Sequence, residues 1–347
     1  MTAPALDLLC IGNAIVDILA PVSHETLEAL GSPLGSMTLI DAAQAAEIEA
    51  EISPEQIMGG GSAANTAVVA SRLGARVGYL GKVAADEAGL GYARDLTAQN
   101  LLYPSVPVET ADRPTARCII LVTPDGQRTM HTYLGICTEF GPEDVDQAAV
   151  SDAAVTYMEG YLFDKDRAQA AFILAAETAH KAGRRVALTL SDTFCVARHH
   201  DAFRALVAGH IDILFANEAE ICALYGTENF DSAAAQAGAD AALVVLTRSE
   251  KGAVILSEGR RLSCQPSRSG LWIRQVQATP LRQAFWLVSP RGAASRPVPR
   301  WATRPLQPLS PIWGSPRRGF WAQGVRSSRG LVPSSAKGQP PSGNQFG

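Results

Sequence analysis

The sequence predicts an α/β protein: a three-layer sandwich with a mainly parallel central sheet between helices, a small β-hairpin unit, and a C-terminal part that breaks from the pattern. Three observations carry this. Short apolar runs of strand length alternate with helix-length segments between Asp7 and Leu256. Two alternating segments flank the turn Pro124-Asp125-Gly126 and read as a β-hairpin. The composition then changes abruptly after Cys264.

Asp7 to Leu19 is a mostly apolar run interrupted by Asn13 and Asp17. It reads as a buried strand ending near Gly12 with polar residues at its carboxyl end. A glycine cluster precedes a helical pattern from Asn65 to Leu73, and Arg76 to Val83 reads as the next strand. The hairpin spans Thr115 to Val122 and Thr129 to Leu134. A strand from Ala153 to Met158 leads to a helix from Arg167 to Ala182 that stops at Gly183. Val186 to Leu190, Ile211 to Phe215 and Ala242 to Leu246 are further short apolar runs, and Lys251 to Leu256 is a last strand. In such sheets ligands bind at the carboxyl ends of the strands.

The chain has 347 residues, of which 47% are hydrophobic and 18% charged, as suits a globular protein with a sizeable core. No apolar run reaches the ~18 residues of a membrane span, and no basic segment precedes the first apolar run, so neither a membrane nor a secretory route is expected. The six cysteines, Cys10, Cys118, Cys137, Cys195, Cys222 and Cys264, show no C-x-x-C pairing and read as free thiols of a cytoplasmic protein. The net charge of −4 conceals a split: residues 1–264 carry −16, whereas 265–347 carry +12 and contain no Asp or Glu. The same tail holds all five Trp and twelve of the 21 Pro. Residues 1–264 therefore read as the folded domain, with its lid hairpin at 115–135, and 265–347 as an aberrant tail expected to be disordered.

Three clusters carry polar residues at strand ends. Gly59-Gly60-Gly61-Ser62-Ala63-Ala64-Asn65 lets a substrate approach the backbone just before a helix N-terminus. Asn13 and Asp17 add an amide and a carboxylate, a pair suited to gripping two sugar hydroxyls; Asp17 also reads as a turn or cap residue. Asn217-Glu218-Ala219-Glu220 follows a strand and suits Mg²⁺, through water, and phosphate positioning. An ordinary helix start with acids at the positive dipole end fits it equally. Thr247-Arg248 with Gly252 reads as a nucleotide-phosphate contact or a plain hairpin turn.

Taken in order, these pieces resemble the ribokinase/PfkB kinases: Gly12-Asn13 with Asp17, GGSAAN at 60–65, Gly81…Asp86…Gly89, Asn217-Glu218-Ala219-Glu220, and Thr247-Arg248…Gly252. PDGQRTMHTYLG at 124–135, MEGYLFD at 158–164, and SDTFCV with FANEAE between 191 and 220 are similar to the adenosine-kinase-like branch. The resemblance covers about residues 5–263. It implies a ribokinase-like fold and ATP-dependent phosphoryl transfer to a primary hydroxyl of a nucleoside or sugar. It assigns Asn13, Asp17, Gly60, Gly61 and Asn65 to the ribose. Asn217, Thr247, Arg248 and Gly252 fall on the nucleotide side, with Glu220 reaching Mg²⁺ through water. Arg128 resembles an arginine that swings in from the lid as an electrophilic helper; a solvated hairpin charge is the other reading. The family implies a monomer or a homodimer joined through lids, a small-molecule partner, and no nucleic acid.

One family motif is missing. Asp-Thr-x-Gly-Ala-Gly-Asp supplies an anion hole and, in its last Asp, the general base. At its expected place the chain reads Gly270-Leu-Trp-Ile-Arg-Gln-Val-Gln-Ala-Thr279. Joining the last base of each codon to the first two of the next re-reads this stretch. Trp272 and Ile273 force Asp, and Gln275 to Thr279 permit Gly-Ala-Gly-Asp. The same offset permits Ala-Phe-Ala-Ala-Gly-Phe-Leu-Val-Gly over Thr279 to Val288, a small-residue helix. A frameshift near Cys264–Gln265 accounts for both the lost motif and the Arg-, Pro- and Trp-rich tail. A natural basic tail binding nucleic acid leaves the hidden motif unexplained. The catalytic base is therefore expected to be absent from this chain. The alternatives to a damaged nucleoside kinase are a ribokinase- or fructokinase-type sugar kinase, a non-catalytic kinase remnant with a basic tail, and a plain sugar-binding module.

Overall fold

The computed structural model describes residues 3–109 and 111–264. The expectations for 265–347, the missing motif and the aberrant tail, lie outside the described residues. The strands are Leu8–Ile11 (β1), Ile15–Pro21 (β2), Met37–Leu39 (β3), Gln56–Gly60 (β4), Val77–Leu80 (β5), Ala116–Val122 (β6), Arg128–Tyr133 (β7), Val155–Glu159 (β8), Arg185–Thr189 (β9), Ile213–Asn217 (β10), Leu243–Thr247 (β11), Ala253–Ser257 (β12) and Arg260–Cys264 (β13). The α-helices are His24–Ala29 (α1), Ala42–Glu51 (α2), Ser62–Arg72 (α3), Glu87–Ala98 (α4), Gln147–Asp152 (α5), Asp166–Lys181 (α6), Thr193–Arg198 (α7), His200–His210 (α8), Glu218–Leu224 (α9) and Phe230–Asp240 (α10).

Among the described residues the larger sheet has the order β13-β12-β11-β10-β9-β8-β1-β5. From β5 to β11 it is parallel, and β12 and β13 add an antiparallel edge. Its inner strands β1, β5, β8, β9, β10 and β11 are buried along nearly their whole length, as strands covered on both faces are. Alternate residues of β1 feed two different cores. Leu9 and Ile11 join Phe163, Phe172 and Phe203 beneath α6 and α8. Leu8 and Cys10 join Ala63, Ala67 and Val68 of α3. The phenylalanines form a ring cluster, with Phe163 5.5 Å from Phe172 and 4.5 Å from Phe203 between centroids. Burying each contributes roughly 2–3 kcal/mol. The alanines of α3 let that helix pack closely on β1, β5 and β8, which fixes its N-terminus at the carboxyl edge of the sheet.

The ribokinase-like architecture expected from the sequence is thus present. The lid is larger than the expected hairpin. It is a second sheet of order β3-β7-β6-β2-β4, with the hairpin β6–β7 at its centre. The buried strand expected to end near Gly12 is β1, but a second strand follows it and changes the place of Asp17. The chain leaves the large sheet after Ile11 and crosses at Gly12-Asn13-Ala14, then re-enters as β2 in the small sheet. Asp17 therefore sits mid-strand in the lid rather than at a strand end. The burial pattern gives the reason: β1 is buried throughout, whereas β2 alternates as a strand covered on one face does.

Asp86 ties the root of the lid to α4. Its Oδ1 accepts from the Gly89 N–H at 2.8 Å and the Thr115 hydroxyl at 2.7 Å, and its Oδ2 accepts from the Thr115 N–H at 2.8 Å. Asp86→Ala removes a helix cap and this tether together. A loss of about 2 kcal/mol in unfolding free energy is expected, measurable by urea denaturation.

Candidate active site

A cleft of about 710 Å³ opens at the carboxyl ends of β8 to β11, lined by Ser62, Thr66, Tyr157, Asn217, Thr247 and Arg248 among others. Two of the three clusters singled out in the sequence meet here, and Ser62 and Thr66 of α3 bring the third to its edge. Among the family-assigned residues, Asn217, Glu220, Thr247 and Arg248 line the cleft directly.

The first cluster is built around a buried carboxylate. Glu159, only 2% exposed at the end of β8, accepts the Asn13 N–H at 2.9 Å and the Ser62 hydroxyl at 2.7 Å. It also takes backbone bonds from Ser62 and Ala63. Gly61 is the N-cap of α3 and has no side chain to cap it, so Glu159 performs that task from a different strand. Burial holds its pKa above the ordinary carboxylate range, and these donors offset only part of that rise. Gly12 is required for the approach, since a Cβ there would lie 2.1 Å from the Glu159 Oε2. In the sequence Glu159 falls inside MEGYLFD without being assigned to the site; its one local signal is a lone acid ending an apolar strand beside a glycine.

Asp17 lies against the backbone of Gly60, where a Cβ would come within 2.3 Å of its carboxyl carbon. Burial pushes its pKa up to about 7. In the lid sheet Asp17 is flanked in register by Met58 and Cys118, so apolar neighbours surround it on both sides. Gly61 adopts φ +92°, and a Cβ there would sit 2.3 Å from the Asn13 carbonyl oxygen. Gly61→Ala is expected to lose about 3 kcal/mol or more of stability, because a left-handed conformation and a backbone clash coincide. Thermal unfolding of the variant beside the parent checks this.

On the opposite side, Asn217 and Glu220 form a reciprocal capping box on α9. The Asn217 Oδ1 accepts from the Glu220 N–H at 2.8 Å, and the Glu220 Oε2 accepts from the Asn217 N–H at 2.9 Å. Glu220 is 2% exposed. Arg248 donates to Glu218 from Nη2 at 2.7 Å and from Nε at 3.2 Å, and lies 3.8 Å from the centroid of the Phe230 ring. The hydrogen bond from Arg248 holds the Glu218 carboxyl below its ordinary range. The guanidinium is thus presented flat at the cleft wall rather than left to move freely.

The remaining expected residues sit further out. Asn65 is in the first turn of α3, where its N–H donates to the Gly61 carbonyl at 2.9 Å. Gly252 closes the β11–β12 turn at φ +86° and is not among the lining residues. Arg128 is exposed at the start of β7, near the hairpin tip, and does not line the cleft.

A large sheet with a β lid, and a cleft at its carboxyl edge with acids, amides and a fixed guanidinium, are the features of a ribokinase-like fold. The chain belongs to the pfkB family of carbohydrate kinases, whose profile matches residues 32–270. Its fold superposes on an adenosine kinase from Sinorhizobium meliloti, 44% identical, with a TM-score of 0.69 over 76% of this chain and 80% of that one. A "probable sugar kinase protein" from Rhizobium etli is 42% identical, with a TM-score of 0.70 over the same shares. An ATP-dependent ribose-1-phosphate kinase of Halopiger xanaduensis is 31% identical over 54% of this chain and 60% of that protein. The chain spans 52 to 60% of the length of the curated relatives it matches. No helix among the described residues is long and apolar enough to cross a membrane.

Proposed function

We propose that the gene encodes an ATP-dependent nucleoside kinase acting on a primary hydroxyl of adenosine, and that the chain as written has lost turnover. The observation that carries the phosphoryl-transfer reading is the single cleft joining Ser62 and Thr66, beside Glu159, to Asn217, Thr247 and Arg248. The choice of a nucleoside rests on the Sinorhizobium relative, 44% identical. A free sugar is the second reading, favoured by the Rhizobium etli relative at 42% identity.

The acceptor is gripped by Asp17, whose desolvated carboxyl takes two hydroxyl hydrogen bonds, with Asn13, Asn65 and the backbone at Gly60 and Gly61 completing the contact. Thr247, Arg248 and Asn217 meet the donor phosphates. The amide, hydroxyl and guanidinium of Asn217, Thr247 and Arg248 suit the oxygens of a nucleotide phosphate. Glu220, and Glu218 beside it, would reach Mg²⁺ through water. When bound, ATP with Mg²⁺ supplies the transferable phosphoryl group. The lid closes on the acceptor and excludes water. The base and anion hole belong to the motif that is out of frame after Cys264.

Binding separates the readings. Calorimetric titration of the full chain is expected to show adenosine binding more tightly than ribose, with MgADP binding independently. Ribose binding more tightly than adenosine would transfer the assignment to a sugar kinase. Nucleoside binding without any nucleotide binding would leave a binding module.

A further inference from the structure

We propose that three tyrosines form a positioning unit behind the acceptor site, and that Tyr92 sets how selectively Asp17 reads the sugar hydroxyls. The proposal rests on the acceptor reading given above. The Tyr79 hydroxyl donates to the Gly12 carbonyl at 2.9 Å, Tyr92 to the Gly60 carbonyl at 3.1 Å, and Tyr103 to the Gly81 carbonyl at 2.8 Å. The rings lie 6.1 to 6.4 Å apart between centroids, and Tyr79 and Tyr92 are fully enclosed. They come from three separate segments: β5, α4 and the chain after Leu102.

All three acceptors are glycines at which the backbone must approach something closely. A Cβ on Gly12 would strike Glu159, one on Gly60 would strike Asp17, and one on Gly81 would strike the Tyr79 hydroxyl at 2.7 Å and then the Gly12 carbonyl oxygen at 2.9 Å. These glycines therefore form a floor with no side chains of their own to fix it. Hydroxyls arriving from behind supply the missing constraint without occupying the substrate side. Burial raises the pKa of all three phenols, so they remain neutral donors.

Tyr92 has the most direct line to chemistry. Gly60 ends β4, the edge strand of the lid sheet, and the Asp17 carboxyl lies directly on it. Releasing the Gly60 carbonyl frees the surface against which that carboxyl is oriented. Tyr92 touches no substrate and acts through Gly60 on Asp17; it is a positioning residue. Tyr92→Phe keeps the ring and removes only the hydroxyl.

The experiment measures adenosine, 2′-deoxyadenosine and MgADP affinities by calorimetry, with melting temperatures, for the full chain, Tyr92→Phe, Tyr103→Phe and Asp17→Asn. Tyr92→Phe is expected to lower the adenosine to 2′-deoxyadenosine affinity ratio about fivefold, leaving MgADP affinity unchanged and the protein folded. Tyr103→Phe, acting on Gly81, is expected to change that ratio less. An unchanged ratio in Tyr92→Phe, with Asp17→Asn still impaired, would overturn the proposal alone. Unfolding of Tyr92→Phe would also overturn it, by making the hydroxyl a stability element. Unimpaired adenosine binding in Asp17→Asn would instead overturn the acceptor reading beneath it.

Discussion

Assayed with ATP, Mg²⁺ and adenosine, the protein as written is expected to show no measurable turnover, and a version with one base corrected near codon 264 is expected to turn over robustly. A positioned general base contributes ~10²–10⁴-fold and one anion-hole donor ~10²–10³-fold. Both belong to the Gly-Ala-Gly-Asp motif, so removing them together lowers activity by about four orders of magnitude or more. The acceptor and donor residues named above all precede Cys264, so binding should survive where chemistry does not. Robust turnover by the uncorrected chain would end the frameshift reading. So would sequencing of the coding DNA that finds no offset and a corrected chain that stays inactive.

Asp17→Asn is expected to weaken adenosine binding by about 100-fold or more. Hydrogen bonds to an ionised group are worth ~1.5–3 kcal/mol each, and the carboxylate is assigned two. The same substitution should alter stability in the opposite sense. The folded-state pKa of Asp17 is raised to about 7 by burial, against ~3.9 unfolded. The group's contribution to stability is therefore fully present below pH ~4 and is lost as pH rises through about 7. Three pKa units correspond to roughly 4 kcal/mol. Urea denaturation of the ligand-free protein between pH 4 and 8 should show that decline, and Asp17→Asn should flatten it. Adenosine affinity should rise over the same range, because the ligand hydroxyls favour the ionised form. A pH-independent stability difference between the two proteins would count against a desolvated Asp17.

The fold was largely legible because its signals are local. Apolar runs such as Leu8–Ile11 and Leu243–Leu246 announce strands buried on both faces. Gly183, at φ +69°, marks the end of α6 where the sequence placed it. Asn217 and Glu220 were recognised by spacing, and the structure shows that this spacing also makes a capping box. What stayed hidden was long-range. Nothing local reveals that Asp7 to Leu19 serves two sheets, because the crossing at Gly12-Asn13-Ala14 carries no turn signature stronger than one glycine. The cap of α3 was unreadable for the same reason, since Glu159 lies 97 residues from Ser62. The pairing of Arg248 with Glu218 joins residues 30 positions apart and likewise has no sequence signal.

The tyrosine cluster has an optical consequence. Residues 1–264 contain no tryptophan; all five lie beyond that point. Three of the seven tyrosines are held ring against ring directly behind the glycine floor. Near-ultraviolet circular dichroism reports fixed aromatic packing, so Tyr79, Tyr92 and Tyr103 should contribute a tyrosine signal that Tyr92→Phe reduces. The difference spectrum between the parent and Tyr92→Phe would therefore report on the backbone at Gly60 with no ligand and no label attached.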